Sequence, residues 1–270
     1  MIEKFMIAEK AVKVDLQDDY YGLQFWKNFE ARKYEPDTVG FVEDRVNAKS
    51  VFFDIGAANG AITLLAAIKG ARVLAYEPNP IIYNVLQRNM ELNDSITNRV
   101  ETLNCGISNS KFLLPFSQGA DTTVISDIVV SNHALGGVRD VSILDLPTEL
   151  ERASQTEEVF IKMDIEGAEW RILGDENCLR SMQKVRATMI LAVHPGFYRP
   201  HRRLFRGLNR VSLEVFRVRN FLESLRTFRN LSKFATIQRT NLNIVNNAYL
   251  FALLITAGYH EFIVDFTSQG

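Results

Sequence analysis

The chain has 270 residues, 47% hydrophobic and 23% charged, with a formal net charge of −1 at pH 7. This is the balance of a water-soluble globular chain long enough for a sizeable core, and it excludes a polybasic protein that grips nucleic acid or membrane along its whole length. The two cysteines, Cys105 and Cys178, have neither metal-ligand spacing nor a paired framework, so a reduced, cytoplasmic setting is expected.

Residues 1–50 read as a helical or irregular lead-in packing on the core. Charge interrupts the apolar residues of MIEKFMIAEKAVKV, so no signal peptide is expected. The aromatics Tyr20, Tyr21, Phe25, Trp26 and Phe29 fit a helix packed on the main domain, with a substrate-side lid as the competing reading. From residue 51 strand-like and helix-like segments alternate. SVFFDI is a short apolar run suited to a buried strand, and AITLLAAIKG is helical up to Gly70. ARVLAYEP is a second strand, IIYNVLQRNMELN an amphipathic helix and RVETLNCGI a third strand. Residues 107–142 are less regular, with short strands or a hairpin expected. EVFIKMDIEG is the next buried strand, followed by a helix from about Ala168, and ATMILAVHPG is another strand, broken by Pro195. FATIQRT and HEFIVDF read as strands; AYLFALLITAGY fits a strand or a helix capped by Gly258. Such alternation predicts βαβ units and a parallel sheet. No apolar run is long enough to span a bilayer.

Parallel sheets bind ligands at the carboxyl ends of their strands. The unusual polar clusters all follow strands: Asp54–Gly60, Glu77, Asn104–Gly106, Asp164–Gly167 and His194. That places one site along one edge of one sheet. The turn DIGAANG is not the Gly-x-Gly-x-x-Gly of dinucleotide binding, and a carboxylate at Asp54 would repel a phosphate. It suits a cationic group. Glu77 closes the following strand, where a carboxylate can accept both ribose hydroxyls. Two such acids favour S-adenosyl-L-methionine, which has an ammonium, a sulfonium and no phosphate, over NAD.

The segments FFDIGAANGAITLLAA, AYEPNP, IKMDIEGAEWRIL and HPG, in this order along residues 50–196, resemble the FkbM family of S-adenosylmethionine-dependent methyltransferases. KMDIEGAE is the most specific block. The resemblance implies an α/β, Rossmann-like methyltransferase fold with a mostly parallel seven-stranded sheet and helices on both faces. It also implies methyl transfer to oxygen, commonly a hydroxyl of a sugar or natural product. Two features depart from the family pattern: Ala192 stands where an acid is expected two residues before His194, and the region after Pro195 is longer and more basic. Both lie on the acceptor side.

Asp54, Gly56, Ala57, Asn59, Gly60, Glu77, Asn104, Cys105, Gly106 and Asp164 are the expected cofactor residues. Gly56 and Gly60 shape the loop around the methionine moiety, and Asn59 caps the following helix or touches the cofactor. Asp164, Glu166 and His194 are the catalytic candidates; Asp164 serves either as general base or as partner of the cofactor ammonium, and Glu166 falls on the same face of an extended strand. Lys162, costly to bury alone, is expected to pair with Glu166 or Glu169. No dedicated metal site is expected, although Asp164 and Glu166 could recruit a divalent ion weakly.

Nine arginines between Arg199 and Arg229 stand against Glu214 and Glu223, with apolar residues near helical spacing. This predicts a basic helical insertion at about 197–232 within a methyltransferase domain of residues 51–270, broken or not near Gly207. Its arginine face is solvated, or binds an anionic acceptor through Arg199, Arg202, Arg203 and Arg206, or lies on a membrane surface. The reading is an O-methyltransferase acting on a hydroxyl of a saccharide, glycolipid or related small molecule. The alternatives are an RNA methyltransferase, disfavoured because few aromatics interleave the arginines, and a non-catalytic Rossmann-like binding module.

Overall fold

The computed structural model describes residues 1–17, 19, 21–116, 139–165, 168–193, 209–239, 244–256 and 261–267. It begins with two strands, β1 (Ile2–Ile7) and β2 (Lys10–Asp15), paired antiparallel. The helices α1 (Gly22–Glu30) and α2 (Pro36–Arg45) follow. The helical or irregular lead-in is thus corrected over its first fifteen residues. Phe5, Ile7, Val12 and Val14 alternate inward, which is strand periodicity. The turn between the strands places both Ala8 and Glu9 at positive φ (43° and 66°), the backbone of a type I′ hairpin normally made with Asn-Gly.

The main run is β3 (Ser50–Ile55), α3 (Ala61–Ile68), β4 (Arg72–Tyr76), α4 (Pro80–Glu91), α5 (Asp94–Thr97), β5 (Val100–Leu103), β6 (Cys105–Ser108), β7 (Phe112–Phe116) and β8 (Arg139–Asp145). It continues through α6 (Leu146–Leu150), β9 (Glu158–Met163), α7 (Glu169–Leu173), α8 (Glu176–Lys184), β10 (Thr188–Ala192), α9 (Asn209–Leu231), β11 (Thr236–Arg239), α10 (Ala248–Thr256) and β12 (Glu261–Asp265). Among the described residues the central sheet has seven strands in the order β11-β12-β10-β9-β3-β4-β5. β12 alone in it runs antiparallel to its neighbours β10 and β11.

Both faces of the sheet are covered, so its central strands are apolar on both sides instead of alternating with polar residues. Val51, Phe53 and Ile55 of β3 join Val159, Ile161 and Met163 of β9 in one core, with α7, α8, α9 and α10. Phe52 and Phe160 face the other core, with α2, α3, α4 and the hairpin. RVETLNCGI divides at Asn104: β5 extends the central sheet, while β6 pairs with β8 in a second, three-stranded sheet. AYLFALLIT is helix α10, burying Phe251, Ala252 and Ile255. The break near Gly207 and the cap at Gly258 lie outside the described residues.

Candidate functional site

The site is built where β3, β4 and β9 end. Gly56 leaves β3 at φ 86°, and a Cβ there would stand 2.0 Å from the backbone oxygen of Asp164. Only glycine allows the turn to pass that close to the end of β9. The N–H groups of Gly56 and Ala57 both donate to the Tyr76 carbonyl at 3.0 Å, binding the turn to β4. Gly60, at φ 90°, is the N-cap of α3. A Cβ on it would meet Leu86 and Met90 at 2.6 and 2.8 Å. Asn59 therefore does not cap α3, because it stands one position before the residue that does. Its Nδ2 is buried without a partner, while its carbonyl accepts from Nδ2 of Asn89 at 2.9 Å.

Glu77 follows β4, and its carboxylate is held from two sides. Ala58, forced to φ 51°, donates its N–H to Oε2 at 3.1 Å, and Asn79 donates its own to Oε1 at 2.8 Å. Burial pushes the Glu77 carboxyl up to about 7 against the pull of these two donors. Asn79 also caps α4 through Ile81 and Ile82, with Pro80 next in the chain. Asn104 donates to the carbonyls of Glu77 (2.8 Å) and Pro78 (3.2 Å) and so fixes the far side of this corner. Cys105 and Gly106 begin β6, and the Cys105 side chain lies in the apolar core. Burial drives its thiol up to about 12. Its side chain is packing, not part of an exposed ligand edge.

The third corner is ionic. Asp54 and Lys162 are register partners on β3 and β9. Asp54 is 0% exposed and accepts from the Thr63 hydroxyl at 2.6 Å. Lys162 Nζ donates to the Gly56 carbonyl at 2.7 Å and stands 3.7 Å from Asp54 and 3.6 Å from Asp164. Lys162 thus lies beside its cross-strand neighbour Asp54 and the strand-end acid Asp164, while the expected partner Glu166 lies outside the described residues. Glu169 is buried in α7 and accepts from the Ile165 N–H at 3.1 Å. Burial raises the Asp54 carboxyl, with Lys162 and Thr63 opposing. Burial also disfavours the Lys162 ammonium, but Asp164, Asp54 and Glu35 outweigh it and hold its pKa above that of an ordinary lysine.

Two acids not singled out from the sequence also reach this corner. Glu35 is the N-cap of α2, and Glu261 opens β12 in register with Ala192. Burial raises the Glu261 carboxyl to about 7, with Glu35, Asp37 and Asp164 adding to it. An acid thus faces position 192 from the neighbouring strand. Glu166, His194, Arg199, Arg202, Arg203 and Arg206 lie outside the described residues. Among those described, no group of three or more His, Cys, Asp or Glu side chains could hold a metal ion, and no helix is long and apolar enough to cross a membrane.

Residues 54–228, more than half of the chain, match the model of the methyltransferase FkbM domain. A methyltransferase of Sordaria araneosa, sdnD, is 42% identical over 66 residues, which are 24% of this chain and 25% of that protein. The chain thus matches about a quarter of that curated relative. An FkbM methyltransferase from Methylobacillus flagellatus has a TM-score of 0.45 at 15% identity, over 93% of this chain and 62% of that one. A TehB-like S-adenosylmethionine-dependent methyltransferase from Corynebacterium glutamicum has 0.41 at 12%, over 90% and 94%. With the family model matched from the glycine turn into α9 and a Rossmann-like parallel sheet beneath it, the chain belongs to the methyltransferase FkbM family.

Proposed function

We propose that this protein transfers a methyl group from S-adenosyl-L-methionine, the cofactor of its family, to a hydroxyl oxygen of a saccharide, glycolipid or related small molecule. The observation that carries this is the Glu77 carboxylate, held by the N–H groups of Ala58 and Asn79 beside a glycine turn at the strand ends. Each carboxylate oxygen keeps a lone pair for a further donor. Glu77 is thereby suited to the two ribose hydroxyls. The buried, unpartnered Nδ2 of Asn59 also fits a ligand seated against this turn.

When bound, the cofactor supplies a methyl carbon activated by a sulfonium. The work left to the protein is orientation and removal of the acceptor proton. Asp54 has no exposed surface, so its role is to hold Lys162 and the turn. Asp164, with 22% of its side chain exposed, is the carboxylate that would take the acceptor's hydroxyl proton. Glu261, opposite Ala192, supports an acceptor side built partly from β12.

Calorimetric titration with S-adenosylhomocysteine, with NAD as control, tests the reading. Micromolar binding of the first and none of the second is expected. Absence of S-adenosylhomocysteine binding overturns it. Transfer of labelled methyl from the cofactor to a panel of saccharides and glycolipids then tests the acceptor class.

A further inference from the structure

Phe41 of α2 packs edge-on against Phe160 of β9, with ring centroids 5.9 Å apart. Going back from Phe41 to Glu35 covers roughly 9 Å of helix, and going forward from Phe160 to Lys162 covers roughly 7 Å of strand. The N-terminus of α2 thus reaches the carboxyl end of β9. Burial raises the Glu35 carboxyl, which lies within electrostatic reach of Lys162, Asp164 and Asp54 and beside the Tyr34 side chain. Tyr34 is fixed in turn by Phe25, with ring centroids 4.5 Å apart. The backbone at Glu35 is left-handed (φ 43°, ψ 55°), a conformation costing a non-glycine residue about 1–2 kcal/mol.

Charge decides what this corner lacks. Among the described residues one buried ammonium, Lys162, faces three carboxylates: Asp54, Asp164 and Glu35. Oδ1 of Asp54, fully buried, has no hydrogen-bond donor and only the shared lysine 3.7 Å away. Among the described residues carboxyl groups thus outnumber ammonium groups at this corner, and burial raises those of Asp54 and Glu35. Asp54 is sealed, whereas Glu35 keeps part of its surface exposed. Glu35 also precedes residues 54–228, the part matched by the family model.

Resting on the cofactor reading above, we infer that Glu35 is a cofactor-binding residue: its carboxylate receives the ammonium of the methionine moiety, leaving Asp164 to the acceptor. The N-terminal segment then completes the binding site.

The test compares wild type with Glu35→Gln, which keeps the shape and removes the charge. Two ligands are titrated by calorimetry: S-adenosylhomocysteine, which carries the ammonium, and 5′-methylthioadenosine, which has the same nucleoside and no amino-acid tail. Expected is a loss of at least tenfold in S-adenosylhomocysteine affinity, with methylthioadenosine affinity and melting temperature unchanged. Equal S-adenosylhomocysteine affinity in the two proteins overturns the assignment. A parallel loss for both ligands also overturns it, since a role in shaping the site moves both. If wild type binds no S-adenosylhomocysteine, the cofactor reading itself falls.

Discussion

At Gly56 two constraints act on one residue: a positive φ and a strand end 2.0 Å from where a Cβ would be. Gly56→Ala must therefore push the ends of β3 and β9 apart, and loss of S-adenosylhomocysteine binding in calorimetry is the expected result. Lys162 carries a different load. Its ammonium offsets Asp54, which no water reaches, so Lys162→Met leaves a buried charge alone. Such a loss costs about 3–5 kcal/mol, to be read as a lower urea midpoint; an unchanged midpoint would show that Asp54 is neutral in the fold. Glu77 is held by donors that also shape the turn, and a ribose needs its ionised form. With its carboxyl near 7, S-adenosylhomocysteine should bind more weakly at pH 6 than at pH 8. Glu77→Ala should cost more than tenfold in affinity at pH 8 and less at pH 6.

Helix α4 joins the N-terminal hairpin to the glycine turn. Just past its end, Asn93, the N-cap of α5, pairs with both backbone groups of Lys13, through Oδ1 at 2.9 Å and Nδ2 at 2.6 Å. One turn earlier, Asn89 accepts from the Asp15 N–H at 2.9 Å and donates to the Asn59 carbonyl at 2.9 Å. Arg88 adds an ion pair with Asp15 at 3.2 Å. Asn89→Ala leaves a donor and an acceptor unpaired under a fully buried side chain, a cost of roughly 1–3 kcal/mol, measurable by chemical denaturation. None of this is legible in IIYNVLQRNMELN, where an asparagine on a helix reads as a weak helix former. Its partner Asp15 lies 74 residues away, in a hairpin whose turn lacks the usual residues, and its partner Asn59 lies 30 away in the glycine turn. The glycine turn was legible because its signal is local, a strand, two glycines and a helix start.

For the whole molecule, opposing carboxyl shifts set the pH dependence of stability. Glu77 and Glu261 keep their protons to about 7 in the fold, against an ordinary 4.5. Between those values the folded state holds protons that the unfolded chain has lost, so stability falls as pH rises through the window. Asp15, Asp145 and Glu157 are held below the usual range, first by a backbone donor for Asp15, by hydrogen bonds from Thr148 that outweigh burial for Asp145, and by Arg72 for Glu157. They withdraw stability as pH falls below about 4. Melting temperature should therefore peak near pH 4–5 and fall toward 7. A profile rising monotonically to pH 7 would contradict the two raised carboxyls. Along α9, Val218, Leu222, Arg226 and Arg229 are exposed, residues spaced along one side of a helix. Such a stripe bears on one of the three readings of the insertion, that it lies on a membrane surface. Arg226→Glu with Arg229→Glu should abolish flotation with phosphatidylserine vesicles, and unaltered flotation would rule out this stripe as the contact.

The sequence by itself determined the strand–helix alternation, the sheet edge proposed as the site and the acids that end β3, β4 and β9. These follow from local apolar runs, glycines and polar residues at strand ends. Tertiary structure decided which charges meet. Lys162 turned to its register partner Asp54, a relation set by strand pairing across more than a hundred residues. Glu35 and Glu261 reached the site from elements remote in the chain, one by the packing of α2 on β9 and the other because β12 runs antiparallel beside β10. Such juxtapositions arise only when separate segments bury their apolar faces together, and no short stretch of sequence records them.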